Sequence, residues 1–162
     1  MGDTLASELG ILSKTPPRLI TNLRRIVPPG TNGGVSSWGT ICSGLGGAFI
    51  GFTLFVSEKL RTKGQLRGVP SFTVGAQFIL LGAAAGFAGS MLDSLLGATM
   101  QQTWYSRKTK QVLLGKRPQS RKGDEDEWEV ICGKDVLSNN TVNFISSALT
   151  GALTAYIGHH WI

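Results

Sequence analysis

The residues of this chain that could do chemistry are three carboxylates in or beside stretches that otherwise carry no charge. Asp93 lies within a long apolar stretch, and Asp3 and Glu8 lie in an N-terminal segment that reads as a helix over 2–12. An aspartate at the centre of a membrane helix costs roughly 2.5–3.5 kcal/mol on insertion scales, so it is usually retained for a use. All three are hard oxygen ligands of the kind that Mg²⁺ takes. Asp3 and Asp93 are the predicted catalytic residues, either as metal ligands or as proton acceptors.

Groups that could bind phosphate lie close to these carboxylates in the predicted topology. The glycine-rich segment TNGGVS (31–36) leads into a predicted helix, where free N–H groups favour an anion. Basic residues upstream could contact phosphate oxygens, and asparagines open the last predicted helix. The candidate phosphate-binding residues are Lys14, Arg18, Thr31, Asn32, Gly33, Gly34, Asn139, Asn140 and Asn143. A simple glycine turn before a helix is the alternative for the loop, and the Gly spacing of a P-loop is missing before Lys116.

The distribution of charge along the chain predicts the fold. Three stretches carry no Asp, Glu, Lys or Arg, and each is long enough for a membrane span, which takes about 20 mostly apolar residues: 35–56, 69–92 and 136–162. We therefore predict an all-α, polytopic transmembrane helix bundle that forms a single membrane domain over 1–162. Its spans are expected near 35–57, 72–98 and 140–158. A soluble, glycine-rich α/β domain is the alternative.

The excess of basic residues predicts an orientation in the membrane. The chain has a net charge of +6, and twelve of its 16 lysines and arginines fall in 1–34 and 103–135. The positive-inside rule explains this asymmetry better than nucleic-acid binding does, and places both segments on the cytosolic side. We predict a basic loop over 13–34 and a polar, mobile cytosolic loop over 103–135. Nucleic acid is not an expected partner, whereas the lipid bilayer is.

The same topology brings four polar blocks to one face of the membrane: 2–10, 30–36, 89–98 and 138–147. Small and polar residues recur every three or four positions along two of the predicted helices, which places each set on one helix face. In the second span these are Gly82, Gly86, Ser90, Asp93, Gly97 and Gln101, and in the third they are Asn139, Asn143, Ser147, Gly151 and Thr154. Hydrogen bonds between helices would account for the hydroxyls. They account less well for Asp93, because an ionised carboxylate needs a cation or water.

The polar blocks together resemble the transmembrane protein 19 family, whose plant members include a phytyl-phosphate kinase. The segments that carry the resemblance are GDTLASELG (2–10), SKTPPRLIT (13–21), VPPGTNGGVS (27–36), GSMLDSLLGATMQ (89–101) and GKDVLSNNTVNFISS (133–147). The first is also similar to the Gly-Asp block of dolichol and phytol kinases, which use CTP. Family members are about twice as long, with several spans before the Gly-Asp-Thr block. The chain is therefore expected to be the C-terminal half of such a protein.

The resemblance implies a membrane enzyme that transfers a phosphoryl group from a nucleoside triphosphate, with CTP as the expected donor, to an isoprenoid monophosphate. Mg²⁺ is the expected cofactor, held by Asp3, Glu8 and Asp93, with Asp135 as a further candidate. The expected location is the endoplasmic reticulum or another endomembrane, or the plastid envelope in a plant. The N-terminal spans of longer relatives, or another subunit, are possible partners. A non-catalytic transporter or assembly factor and a CTP-dependent lipid nucleotidyltransferase are the alternatives.

Overall fold

The computed structural model of the chain describes residues 2–10, 12–13, 15–61, 71–115 and 128–161, without the side chains of residues 2, 3 and 71. Four helices dominate it: α1 (Gly2–Gly10), α2 (Ser37–Arg61), α3 (Ser71–Met100) and α4 (Asn139–Trp161). Each coincides with a helix predicted from the sequence. Six short strands lie between them: β1 (Arg18–Leu19), β2 (Asn22–Ile26), β3 (Gly34–Val35), β4 (Thr103–Ser106), β5 (Gln111–Leu114) and β6 (Trp128–Cys132).

Helices α2 and α3 pack backbone to backbone through glycines, as the Gly-x-x-x-Gly spacing predicts. A Cβ atom on Gly86 would lie 2.5 Å from the carbonyl oxygen of Ser43, and Cβ atoms on Gly47 or Gly82 would collide with the other's carbonyl group. Gly51 meets the carbonyl of Phe78 in the same way. Because lipid tails are as apolar as leucine, close van der Waals contact of this kind is a main source of helix association in membranes.

Helix α4 runs antiparallel to α3 along its length. At one end, the side-chain amide of Gln77 donates a hydrogen bond of 3.0 Å to the carbonyl oxygen of Trp161. Near the middle, Gly89 of α3 brings the two helices together, since a Cβ there would lie 3.3 Å from the Thr150 hydroxyl. Consequently the C-terminal end of α3 and the N-terminal end of α4 lie at the same end of the bundle as the start of α2.

The prediction of an all-α fold needs correction at both segments that were expected to be loops. The segment 13–34 contributes to an antiparallel sheet of order β2-β1-β3, and the segment 103–135 forms a second antiparallel sheet of order β5-β4-β6. Residues 116–127 of the predicted mobile loop lie outside the described residues. Both sheets sit at the polar end of the bundle, and a small apolar core joins them to the end of α3: Leu19, Val27, Ala98 and Cys132.

The turn that follows β6 holds the C-terminal end of α3. The amide N–H groups of Val136 and Leu137 both donate to the carbonyl oxygen of Met100, at 3.1 and 3.0 Å, and Lys134 donates to the carbonyl oxygen of Thr99. These bonds satisfy carbonyl groups that have no partner inside a helix end. The turn also sets the position at which α4 begins, because only Ser138 separates it from Asn139.

Two of the helices are long and apolar enough to cross a membrane, α2 and α3, within the part of the chain that the structure describes. Only 6% of the apolar window of α3 is buried, whereas the core helix of a soluble protein would be mostly buried. Large apolar side chains such as Leu45, Phe49 and Phe87 point outward. Helix α4 has the length of a span but carries asparagine, serine, threonine and histidine along its course, so the third predicted span stays a prediction.

Candidate functional site

A polar cavity of about 470 Å³ lies at the end of the bundle that the two sheets cover. All four polar blocks predicted to share one membrane face contribute to its wall: α1 with Ser7 and Glu8, the 29–36 loop, α3 from Ser90 to Gly97, and the start of α4. Gln101, just after α3, also lines it. Helix α1 reaches it by crossing α2 at Gly39, where a Cβ would lie 3.0 Å from the carbonyl oxygen of Ala6. The convergence of segments far apart in sequence is the central geometric feature of the site.

The glycine-rich loop forms one wall of the cavity and packs directly on α3. Gly33 has a φ of +72°, and a Cβ there would lie 2.6 Å from the carbonyl oxygen of Ser94. A side chain at this position is therefore opposed both by backbone conformation and by the approach of the helix. Gly97 makes the matching space on α3, because a Cβ there would lie 3.5 Å from the Cβ of Asn32.

The loop does not present its backbone N–H groups as the sequence suggested. The N–H of Thr31 donates to Pro28, that of Gly34 donates to Thr31, and that of Asn32 donates to the hydroxyl of Thr103 at 3.4 Å. These bonds hold the loop as a turn and occupy three of its backbone donors. The expectation of a backbone anion nest is therefore not supported at Thr31, Asn32 and Gly34, although all three residues line the cavity.

Two residues of the second sheet hold this loop, and sequence reasoning missed both. Cys132 donates its S–H to the carbonyl oxygen of Asn32 at 3.3 Å, and Thr103 is fully buried beneath the same residue. Burial raises the pKa of the Cys132 thiol, which a hydrogen bond with Thr103 only partly offsets. The thiol therefore stays protonated and can donate. No periodic pattern marks these contacts, since they join positions 100 and 71 residues apart.

Asp93 lies in the wall of the cavity at the contact between α3 and α4. Its carboxylate accepts a hydrogen bond of 3.0 Å from the hydroxyl of Ser146, which is itself 4% exposed. The sequence analysis placed Ser147 on this face, but the helix turns Ser146 toward Asp93. The spacing Asn139, Asn143, Ser146, Thr150 fits a helix face equally well, so the sequence alone does not decide whether Ser146 or Ser147 faces Asp93.

The other predicted site residues divide into those the structure brings to the cavity and those it does not. Asn32, Gly33, Asn139 and Asn143 line it together with Glu8. Asn140 is exposed on α4 and does not line it. Arg18 is also directed elsewhere, since its guanidinium donates to the carbonyl oxygen of Leu23 at 2.8 Å.

Two of the predicted residues cannot be placed. Lys14 and the side chain of Asp3 lie outside the described residues. Asp3 belongs to α1, whose Ser7 and Glu8 do line the cavity. Glu8 and Asp93 are therefore both on the described wall, and the third predicted member is unplaced.

The described part of the cavity wall is built from acidic and neutral side chains. Its charged residues are Glu8 and Asp93, and no lysine or arginine is among the described lining residues. The amides of Asn32, Asn139 and Asn143 offer neutral donors and acceptors. A phosphate group entering this space would therefore meet neutral hydrogen-bond donors and two carboxylates on the described wall.

An apolar groove of about 680 Å³ lies next to this cavity, along α2, α3 and α4. Ser90 lines both spaces, and Ser146 lines the groove while bonding to Asp93 in the cavity wall. The groove wall is otherwise built mostly from glycine, alanine and larger apolar residues such as Leu54 and Phe78. The polar cavity and the apolar groove are thus neighbouring spaces that meet at Ser90.

Comparison with known proteins identifies the family. The model of the family described as integral membrane protein DUF92 matches residues 1–151. The chain belongs to this family. It is similar to Protein PGR of Arabidopsis thaliana, at 37% identity over 157 residues, which are 95% of this chain and 49% of the plant protein. It is also similar to an uncharacterized membrane protein of Methanocaldococcus jannaschii, at 37% identity over 103 residues, 62% of this chain and 35% of the archaeal protein.

This DUF92 protein is therefore an integral membrane protein, and the family resemblance drawn from its polar blocks is confirmed. The chain spans about half the length of the plant relative that it matches. No solved structure matches it. The cavity and the groove are thus described for this family from the chain's own geometry.

Proposed function

We propose that this DUF92 protein carries the phosphate-binding site of a membrane lipid kinase. In this proposal a phosphoryl group passes from a nucleoside triphosphate, with CTP as the donor that the family resemblance implies, to an isoprenoid monophosphate. The observation that carries the proposal is the convergence of four separate polar blocks on one cavity, beside an apolar groove that shares Ser90 with it. A polar head and an apolar tail joined in one substrate are what such a pair of spaces can hold together.

The chemistry of the acceptor limits what Asp93 has to do. The second pKa of a phosphate monoester is about 6, so its attacking oxygen is already largely ionised at neutral pH. A general base is therefore not needed, in contrast to the phosphorylation of an alcohol. Asp93 is better suited to holding a cation or orienting a neighbouring group, with the Ser146 hydroxyl fixing its carboxylate.

Glu8 and Asp93 are the carboxylates of the described wall that would hold a divalent cation such as Mg²⁺, with Asp3 as the further predicted member. Mg²⁺ takes one or two carboxylates together with substrate phosphates and waters. When bound, it would offset the negative charge of the phosphate groups during transfer.

The side-chain amides would position the phosphates. Asn32, Asn139 and Asn143 come from two separate elements and line the same space, so they can donate hydrogen bonds to phosphate oxygens from different directions. Catalysis of phosphoryl transfer consists mostly of such positioning together with charge stabilisation. The rigid Asn32–Gly33 turn, tied to Thr103 and Cys132, would hold its amide without rearrangement.

The products distinguish this reaction from nucleotidyl transfer. In the kinase reaction the bond between the γ-phosphorus and its bridging oxygen breaks, a new P–O bond forms to the prenyl phosphate, and a nucleoside diphosphate leaves. A nucleotidyltransferase would release pyrophosphate. Membranes carrying the protein should be supplied with Mg²⁺, geranylgeranyl monophosphate and CTP labelled at either the γ- or the α-phosphorus. Label should enter the lipid from γ-CTP only; entry from α-CTP, or from neither, would contradict the proposal.

A non-catalytic membrane protein is the second candidate, and the Asp93–Ser146 hydrogen bond favours it. Such a bond can join two helices without any reaction. Under this reading Asp93→Asn keeps a hydrogen-bond acceptor and leaves insertion and stability unchanged, and the protein transfers no phosphate in either form. The labelled-CTP experiment therefore separates the two candidates.

A further inference from the structure

The second sheet, of order β5-β4-β6, has one face packed against the protein and one face turned outward. Thr103 and Cys132 are paired across β4 and β6, are buried, and bond to Asn32 beside the cavity. Leu114, which pairs with Thr103 from β5, lines the cavity itself. Residues paired across a sheet point to the same face, and neighbours along a strand point to opposite faces. The next set of paired residues therefore points away from the cavity.

The outward face carries large apolar side chains on all three strands. Trp104 of β4 lies between Leu113 of β5 and Val130 of β6, since the register pairs it with both. Leu113 is 38% exposed and Val130 is 44% exposed. Trp128, two residues from Val130 along β6, shares this face and is half-buried. We call these four residues the tryptophan face. Exposed apolar patches of this kind mark sites of interaction with proteins or membranes.

The position of the tryptophan face favours the bilayer as its partner. Trp104 follows Met100, the last residue of α3, by four residues, which span at most about 14 Å. Apolar surface extends to the end of this helix, because Met100 is exposed, and so is Val136, whose N–H donates to the Met100 carbonyl oxygen. Tryptophan is enriched at the headgroup level of membranes, since its ring is apolar and its N–H is polar. Two tryptophans close to the end of a helix that can span a membrane are typical of an interfacial surface.

Basic residues in the turn between β4 and β5 complement anionic lipid. Lys108 and Lys110 lie in this turn and are exposed, whereas Arg107 beside them is paired with Glu129 of β6. The segment 116–127, which joins β5 to β6 along the chain, contains four basic and four acidic residues and no large apolar side chain. It therefore leaves the hairpin with a positive charge, and its composition does not suit an apolar face.

We propose that the tryptophan face lies on the bilayer leaflet at the polar end of the bundle, and that Lys108 and Lys110 bind anionic lipid headgroups there. Lysines beside an anionic leaflet are attracted to it within about a Debye length, roughly 8–10 Å. The inference does not depend on phosphate transfer. It gives the second sheet a defined position, with lipid on its outward face and the loop at Asn32 on the other.

Two neighbouring leucines give a matched test in the full chain reconstituted into lipid nanodiscs. Leu113→Cys and Leu114→Cys each place a fluorophore at an exposed position, on opposite faces of β5. The unsubstituted chain, whose two cysteines are buried, measures background labelling. Lipid with a spin label near its headgroup should quench the fluorophore at 113 at least about threefold more strongly than the one at 114. Equal quenching at the two positions would overturn the proposal.

Iodide in the aqueous phase separates the other outcomes at Leu113. A fluorophore quenched by iodide and not by lipid would mean that the sheet projects into water. One shielded from both quenchers would mean that a second copy or another protein covers the face. Either result would overturn the proposal.

The lysines are tested by comparing spin-labelled phosphatidylserine with spin-labelled phosphatidylcholine. Lys110 has a φ of +55°, which asparagine adopts readily, so Lys108→Gln with Lys110→Asn removes both charges without straining the turn. Phosphatidylserine should quench the fluorophore at 113 more strongly than phosphatidylcholine does, and the ratio should fall to about one in the double variant. A ratio that is unchanged in the double variant would overturn the binding of anionic lipid.

The protein's own tryptophans give a second measurement that needs no label. Trp38→Phe with Trp161→Phe leaves Trp104 and Trp128 as the remaining tryptophans of the chain. Lipid brominated near its headgroup should quench their fluorescence more strongly than lipid brominated at the ends of its chains, as expected for an interfacial position. Quenching that is strongest from the chain ends, or no quenching by either lipid, would overturn the proposal.

Discussion

At the scale of single residues, the site depends on which side chains of α4 face the cavity. Asn140 and Asn143 were equally good candidates from sequence, because both lie in the same polar block. The structure separates them: Asn143 lines the cavity and Asn140 does not. The sequence could predict that the start of α4 is polar, but not which of its side chains face the cavity. One helix turn contains several polar residues, and the packing of α4 against α3 decides which of them face inward.

This difference predicts contrasting effects of two neighbouring substitutions. Asn143→Ala should lower kcat/KM for phosphate transfer by about 10- to 100-fold, since a hydrogen bond to a charged group is worth roughly 1.5–3 kcal/mol. Asn140→Ala should change it by no more than about twofold, as for an ordinary surface substitution. Steady-state kinetics with γ-labelled CTP measures both. Equal losses in the two variants would mean that the α4 face is assigned wrongly.

Other residue-level expectations needed the three-dimensional structure for correction. The TNGGVS loop lines the cavity, but the N–H groups of Thr31, Asn32 and Gly34 bond within the protein. Arg18 bonds to its own hairpin. Long-range contacts such as Cys132 with Asn32 leave no local pattern, which is why sequence reasoning did not find them.

At the scale of elements, helices were predictable and strands were not. Charge-free stretches and glycine spacing predicted α2, α3 and α4 to within a few residues. The strands are only two to five residues long, and β2 exposes every side chain, so it shows no alternation of buried and exposed positions. A hairpin rich in arginine and asparagine therefore reads as a loop, although its backbone pairs with β1.

The backbone contact between α2 and α3 predicts opposite outcomes for two glycines one turn apart. Gly47→Ala would place a Cβ against the Gly82 carbonyl and should destabilise the protein by about 1–3 kcal/mol through overpacking. Gly44→Ala meets open space and should be neutral or stabilising by up to about 1 kcal/mol from helix propensity. Thermal unfolding in detergent compares the two. A stable Gly47→Ala variant would contradict the close packing.

At the scale of the whole molecule, the bundle has one polar end, where both sheets lie. The positive-inside rule predicts that this end faces the cytosol. The antiparallel course of α4 along α3 places the C-terminal end of α4 at the other end of the bundle, beside Gln77. Whether α4 crosses the membrane stays a prediction, because its polar residues line the site and the groove.

Reporter sites on either side of the membrane can test this arrangement. A cysteine introduced at Lys108, between β4 and β5, should react with an impermeant maleimide from the cytosolic side. A cysteine at His160 should react from the opposite side if α4 crosses the membrane. Both sites are exposed. Reaction of both from the same side would mean that α4 does not cross, and the groove between α2, α3 and α4 would then lie outside the bilayer.

Phosphate transfer by the Asp93→Asn variant tests most directly whether the polar cavity is the site of transfer. Membranes with equal amounts of inserted wild-type and variant protein would receive γ-labelled CTP, Mg²⁺ and geranylgeranyl monophosphate, with Asn140→Ala as the control. We expect Asp93→Asn to lower formation of labelled prenyl diphosphate at least about 100-fold, as loss of a group that stabilises transferred charge does. Asn140→Ala should form as much of this product as the wild-type protein does. Undiminished product from Asp93→Asn would contradict the assignment of the cavity as the site of phosphate transfer.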